Sequence, residues 1–503
     1  MSKHRGNDKN VKTNKPSVGI AVTVAVQFTL LVALTPHALG QQLADALRIS
    51  RPGLHFNARA LAMGNAYSTM GYDFSALYFN PAAMAVSHKN SYTLTMNSNA
   101  FRANSDFHGT HVGFTTSNMT ISQMGVTMPF VIDSTHHSVL GLGFTQSKDF
   151  NLGFKYEGLN AGSRSFIQAL AADEDPLARA LGLSYPSYDA SGKYQGDRTL
   201  LGPNMYEKGY LLDEGAFFNL SMGAAVEAAH NVFFGVSASY NTGASLSDLE
   251  LSAQDTNDVY RAGMLTVPDN PQTAGFIGTD YRLVRELQYS GWNLRFGVLY
   301  KLENFIAWSV SYKLPTSHRL RETLFRSGNT EFTSSRDLLV PESETQSFYS
   351  FTPPPEATIG AMANFWMLTG TAEATYIDYS AMKLNSGVSV LSDRTRINKR
   401  LKEELTAVVN VNAGVEFRPP FTKLSLRAGG MYQPSAFKNA PAGSGQKFLT
   451  AGLGINSFDM FQVEIGYAYG WRGEYKDLQT SEDSGAEQSI AYQTFLFTMR
   501  FAP

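Results

Sequence analysis

The 503-residue chain contains no cysteine. That excludes disulfide scaffolds and thiolate metal sites. It also excludes a lipoprotein anchor, which is attached through cysteine. Charged residues are scarce at 17%, and a net charge of −2 offers no basic footprint for nucleic acid. Beyond residue 40 no apolar run is long enough to cross a bilayer as a helix. Gly-x-Ser-x-Gly, His-Glu-x-x-His and P-loop motifs are missing, and no spacing of Asp, His and Ser suggests catalysis. The expectation is a protein with no catalytic residue, no cofactor and no metal. What the chain does have is glycine and aromatics: 43 Gly, 33 Phe and 24 Tyr.

The first 40 residues read as an export signal. Lys3, Arg5, Lys9, Lys12 and Lys15 make a basic lead, and Val18 to Leu34 is uncharged and mostly apolar. His37-Ala38-Leu39-Gly40 sets small residues at −3 and −1 of a cleavage site before Gln41. An uncleaved anchor is the alternative, but Gln27 and Thr29 interrupt the apolar run. An exported chain without later helices is periplasmic, secreted or a membrane β-barrel.

The strands choose among these. Trp292, Leu294, Phe296, Val298 and Tyr300 alternate with Asn293, Arg295, Gly297, Leu299 and Lys301. Phe461, Val463, Ile465, Tyr467, Tyr469 and Trp471 alternate with Gln462, Glu464, Gly466, Ala468 and Gly470. Similar runs cover 232–241, 306–313, 407–417 and 495–501. One face is apolar with aromatics near the ends; the other is small or polar. A lipid-facing wall needs such a face, and its backbone must close on itself. A large soluble β-sandwich or a propeller is the alternative; the face of Gly, Ser, Thr, Asn and single charges suits a wet or plugged lumen and not a protein core. The fold class expected is all-β: a closed antiparallel transmembrane β-barrel of about 14 strands. Pro315 and Pro353-Pro354-Pro355 fall inside long strands and should mark kinks or rims.

Three segments follow: a signal peptide at 1–40, a hatch or plug at 41–89, and the barrel at 90–503. Gln41 to Ile49 has one apolar helical face and stops at Arg51-Pro52-Gly53. From Arg59 to Val86 the chain is rich in small residues and only weakly periodic, which reads as a compact plug. Long extracellular loops are expected at 149–213, 243–282, 326–345, 380–403 and 472–489, with short periplasmic turns such as Leu302-Glu303. The first loop has an amphipathic helical patch from Arg164 to Leu183, fit either for an apolar mouth or for a packed loop. His136-His137 and Asp173-Glu174-Asp175 lack the further residues that a metal site requires.

Four stretches in order carry a resemblance. They are Arg59 to Ala85 with its Asn80-Pro81-Ala82; Ser311-Tyr-Lys-Leu-Pro-Thr316; Pro354-Pro355-Glu-Ala-Thr-Ile-Gly-Ala361 followed by Ala374 to Ser380; and Gly414 to Arg418 leading to Leu426 to Gly429. The set resembles the FadL/TodX family of outer-membrane transporters for hydrophobic compounds. The resemblance implies a 14-stranded barrel in the outer membrane with a short N-terminal helical hatch inside the lumen. It implies passive transport of long-chain fatty acids or aromatic hydrocarbons, gated by the hatch, with sideways release through a kinked strand. Asn80, Pro81 and Ala82 are then the gating residues. Expected partners are a hydrophobic or fatty-acid ligand, outer-membrane lipids and the barrel-assembly machinery, with the barrel a monomer. The alternative is a barrel of this kind that carries secreted protein cargo.

For a carboxylate headgroup a lumen cation is required. The register puts Arg295, Lys301, Lys313, Arg427 and Arg500 on the inner face. Glu227, Glu373, Glu416 and Glu464 share that face, so ion pairing is the competing role for these cations.

Overall fold

A computed structural model describes residues 46–503 except 55, 132–136, 163, 261–274, 304, 334–336, 387–390, 441–442, 458–459 and 473–485. The export segment and His136 lie outside the described residues.

The wall is one antiparallel sheet closed as a 14-stranded barrel. In chain order the staves are β1 (Ser91–Phe107), β2 (Thr110–Val131), β3 (His137–Asp149 and Leu152–Asn160), β4 (Met205–Ala229) and β5 (Val232–Gln254). Then come β6 (Phe276–Leu302), β7 (Ile306–Lys313 and His318–Phe332), β8 (Leu338–Thr352 and Glu356–Phe365) and β9 (Leu368–Asp378). The last five are β10 (Ala407–Phe417), β11 (Leu424–Gln433), β12 (Gln446–Ser457), β13 (Phe461–Arg472) and β14 (Ala486–Phe501). Pairing of β1 with β14, from Tyr92 with Phe501 to Phe107 with Ala486, closes the ring. Closure pairs the backbone groups that a bilayer would leave unsatisfied.

The apolar members of each alternation face outward. Trp292, Phe296 and Tyr300 on β6 are exposed, as are Trp308 and Val310 on β7 and Val409, Val411 and Val415 on β10. The intervening small and polar residues line the interior. The barrel therefore belongs to the outer membrane; barrels of that membrane have short periplasmic turns and long extracellular loops. Pro315 sits in the break of β7 between Lys313 and His318, and Pro353–Pro355 make the break of β8. Proline has no N–H to give the ladder, so the strands part there.

Several predicted loops are shorter than expected. Most of the described residues in 243–282 and 326–345 are strand, because β5, β6, β7 and β8 run on past the membrane. Their pattern inverts there. On β6, apolar side chains point outward at Trp292 and Phe296, but Leu283 and Leu287 point inward while Arg282 and Glu286 face solvent. The range 149–213 also contains the second half of β3, a hairpin (Tyr185–Tyr188 with Tyr194–Arg198) and the start of β4. The range 380–403 holds a short strand, Lys383–Ser386, and most of a helix, Leu391–Glu404. Most of 472–489 lies outside the described residues.

The patch at 164–183 forms two short helices, Phe166–Ala172 and Pro176–Ala180. A reciprocal Ser165–Gln168 capping box starts the first, and the Asp175 side chain caps the second. Phe166, Ile167, Leu170, Leu177, Leu181 and Leu183 are all buried, packed on Phe107, Tyr156, Leu249, Leu251 and Phe276 of the wall. Of the two readings of this patch, the structure shows the packed loop. It fills the extracellular end of the barrel.

Candidate functional site: the hatch, a chamber above it and a parted wall

The hatch folds inside the barrel. It comprises a turn of helix at 46–50, Ala58–Ala62, Ala76–Phe79 and a 3-10 turn, Pro81–Val86. Its interior is braced twice. Asn57 caps the helix by accepting from Ala60 N at 2.6 Å and donates to Ser75 Oγ at 2.7 Å. Phe56 stacks on Tyr78 at 3.7 Å, and Tyr67 and Phe79 complete that cluster.

The inner face of the wall is built to receive this segment. Ser237 Oγ donates to Leu77 O at 2.8 Å, Ser311 Oγ to Phe79 O at 2.9 Å and Thr450 Oγ1 to Ala62 O at 3.1 Å. Thr498 Oγ1 accepts from Ala58 N at 2.9 Å. These wall hydroxyls satisfy hatch backbone groups that helices so short leave open. Wall glycines admit the hatch: a Cβ on Gly297 would overlap the Asn80 side chain, and one on Gly414 would overlap Met63.

Asn80, Pro81 and Ala82 sit fully buried at this contact. Asn80 Oδ1 accepts from Ala82 N at 3.1 Å and Nδ2 donates to Val298 O at 3.1 Å. One amide thus caps the turn and pins it to β6.

Three of the five inner-face cations are ion-paired. Arg295 and Lys313 both meet Glu356, at 3.1 and 2.6 Å. Arg427 meets Glu416 at 2.6 Å and Glu464 at 3.0 Å. Arg500 donates to Ser91 Oγ at 2.8 Å and lies over the Tyr72 ring. Lys301 faces a cavity at the periplasmic rim and has no ion pair among the described residues. Two of the four expected acids take other work: Glu227 accepts from Asn231 N, and Glu373 from Ser68 N. Sequence reasoning missed Glu356, although it directly follows the proline break, and missed Arg59. Arg59 grips Glu416 with Nε at 2.9 Å and Nη2 at 3.1 Å, which ties the hatch to β10.

Above the helical turn at 46–50 lies a chamber of about 120 Å³. Leu47, Phe101, Phe154, Leu211, Ile490 and Tyr492 supply apolar walls, and Arg48, Arg51 and Arg472 supply cations. Arg48 pairs with Asp213 at 2.8 Å and covers the Phe150 ring. The chamber is somewhat smaller than the apolar cavity of about 150 Å³ that holds benzene, a size for a short alkyl segment.

Beside the chamber the wall parts. The β2–β3 ladder runs from Val131/His137 to Gln123/Thr145 and stops. β3 then bulges at Ser147 and breaks at Phe150-Asn151, and Leu152–Asn160 pairs with β4 alone. Thr110 to Ile121 of β2 pair with β1 alone, and Ser122 is a bulge. Side chains bridge the gap: Thr120 Oγ1 donates to Gln146 Oε1 at 2.6 Å and Asn118 Nδ2 to Asp149 Oδ2 at 2.9 Å. Higher up, Phe114 covers Gly153.

The fold has counterparts. A FadL homologue of Pseudomonas aeruginosa superposes with a TM-score of 0.54 over 89% of this chain and 99% of its own, at 12% identity. The chain shares the FadL/TodX fold. The toluene transporter TodX of P. putida gives a TM-score of 0.56 at 16% identity, covering 90% and 99% of the two chains. A TodX deltaS2S3 mutant, described as a monoaromatic hydrocarbon channel, gives 0.54 at 17% identity over the same shares. No protein-family model and no curated protein matches the sequence. At these identities the likeness is one of fold alone.

Proposed function

We propose that the protein transports hydrophobic compounds passively across the outer membrane, gated by the hatch. The observation that carries this reading is the chamber's position, enclosed by the hatch below and bordered by the one long stretch where β2 and β3 share no backbone bonds. A water-filled pore gains an apolar solute nothing, whereas each CH₂ moved from water into the chamber is worth about 0.8 kcal/mol. Sideways exit between β2 and β3 returns that solute to lipid without rewetting it. The solved structures of this fold named as toluene and hydrocarbon transporters support the same substrate range.

The mechanism follows from the parts. A solute enters past the packed extracellular helices and displaces part of the chamber's apolar contacts. Movement of the hatch at Asn80-Pro81-Ala82 opens the route, and Phe114 swings from Gly153 to clear the gap. The test is organic extraction and mass spectrometry of ligand from protein purified out of outer membranes, beside an Asn80→Ala, Pro81→Ala variant. Stoichiometric fatty acid or hydrocarbon in the wild type, changed in the variant, is expected. An empty barrel that copurifies with a secreted protein would replace this reading with the cargo carrier.

A further inference from the structure

The hatch also has an underside. Between it and the periplasmic rim lies a cavity of about 320 Å³, larger than the chamber above. Its walls include Arg59, Met70 and Tyr72 of the hatch and Lys301, Met362 and Arg418 of the rim.

Charge is unbalanced around it. Glu416 is shared by three guanidiniums, those of Arg59, Arg418 and Arg427. Arg427 also takes Glu464. Arg59 and Arg500 both lie over the Tyr72 ring, at 4.8 and 4.5 Å. Arg59, Arg418 and Lys301 thus line the cavity with no carboxylate in its lining, and Lys301 has no ion pair among the described residues. Cations held this way attract an anion, because the acids that could neutralise them are already shared. The methionine side chains add a flexible apolar wall suited to an alkyl chain.

We propose that this vestibule binds the carboxylate of an aliphatic amphiphile on the periplasmic side of the hatch. Lys301 and Arg418 hold the head, and Met70 and Met362 pack against the first methylenes. The proposal rests on the transport reading, which supplies the ligand. It selects fatty acids over neutral hydrocarbons, which have no group for Lys301.

The experiment uses the full-length protein in non-ionic detergent with two photoreactive probes, a diazirine palmitic acid and the matching diazirine hexadecanol. Labelled peptides are mapped by mass spectrometry. The acid is expected to label the peptides bearing Met70 and Met362 about tenfold more than the alcohol does. Lys301→Gln with Arg418→Gln should lower that labelling about tenfold and leave labelling around Phe101 and Tyr492 unchanged. Lys301→Gln alone breaks no ion pair and keeps the test readable if the double variant fails to fold. Equal labelling by acid and alcohol, or labelling confined to the upper chamber, overturns the vestibule and leaves transport standing. No labelling in either place overturns both. Displacement of the acid by phosphatidylglycerol at lower concentration than by palmitate also overturns the proposal, because the cavity then belongs to a lipid headgroup.

Discussion

Asn80 of the hatch lies directly on Gly297 of β6, and its amide reaches past that glycine to the carbonyl of Val298. The missing side chain at 297 is what allows the contact. Gly297→Ala should therefore push the Asn80-Pro81 turn off the wall while the strand ladder survives. Gly370→Ala is the control, since nothing lies within 4 Å of a Cβ there. Conductance in planar bilayers should rise for Gly297→Ala and stay at the wild-type level for Gly370→Ala. Equal conductance in both would mean that this contact does not hold the hatch.

Asn80 itself does two jobs that substitutions can separate. Asn80→Asp keeps the acceptor for Ala82 N and loses the donor to Val298 O. Asn80→Ala loses both. Loss of a cap typically costs about 1 kcal/mol. Hydrogen exchange of the peptide covering 76–87 should rise for both variants, and backbone protection at Ala82 should fall only in the Ala variant.

Glu416 and Arg59 are not equivalent partners. Arg59→Gln leaves Glu416 with Arg427 and Arg418, so no buried carboxylate is stranded. Glu416→Gln removes the negative charge that three guanidiniums share and turns one acceptor oxygen into a donor. Removal of one side of a buried pair costs about 3–5 kcal/mol when its partner is left uncompensated. Denaturant unfolding in detergent should place Glu416→Gln well below Arg59→Gln, and equal stabilities would refute the shared-acceptor account.

Much of the wall was legible because lipid demands apolar side chains on one face only. The outward face of β6 at Trp292, Phe296 and Tyr300 and the inward face at Arg295 and Lys301 follow from that alternation. The loop boundaries failed at a physical change of solvent. Above the membrane the exterior is water and the interior is the cluster around Phe166 and Leu170, so the apolar face switches sides without any register shift. A pattern sought as outward-apolar stops there, although the strand continues. The hatch was legible as an irregular, small-residue segment. Its docking was not, because the contacts join residues far apart in sequence: Arg59 with Glu416, Asn80 with Gly297. The parting of β3 had no proline to announce it, unlike the breaks at Pro315 and Pro353.

Asp175 carries the extracellular packing. Its Oδ1 accepts from Ala178 N at 2.9 Å and its Oδ2 from the Tyr281 hydroxyl at 3.3 Å. Burial pushes its carboxyl above the usual carboxylate range. A carboxyl whose folded value is raised binds protons more readily in the folded state, so its charge opposes folding at neutral pH. Protection of the 166–183 helices should therefore increase as pH falls through that raised value. Asp175→Asn retains the cap without the charge and should match or exceed wild-type protection at pH 7 while losing Asp175's share of the pH response, the rest coming from Asp173 and Glu207, whose carboxyls burial also raises. Asp175→Ala loses the cap and should be less protected by about 1 kcal/mol. Hydrogen exchange measured across the pH range, corrected for intrinsic rates, separates the three.

If release is sideways as proposed, the gap between β2 and β3 is a moving part, and the absence of cysteine makes that testable. Thr120 and Gln146 touch across the gap just above the last ladder pair, Gln123 with Thr145. Thr120→Cys with Gln146→Cys introduces the only two thiols in the chain, and a short bis-thiol crosslinker with a cleavable bridge then ties the strands. If the solute leaves between them, crosslinked protein in liposomes should still bind ligand but release it to the membrane at least tenfold more slowly, with recovery on cleavage. Phe114→Ala should act in the opposite sense, because the ring that covers Gly153 is gone. A tie across Ser221 and Ser239, which face each other at 2.8 Å on the intact β4–β5 ladder, controls for general stiffening and should change nothing. Release that ignores the β2–β3 tie but stops when the vestibule residues Lys301 and Arg418 are replaced would move the exit from the wall to the periplasmic end.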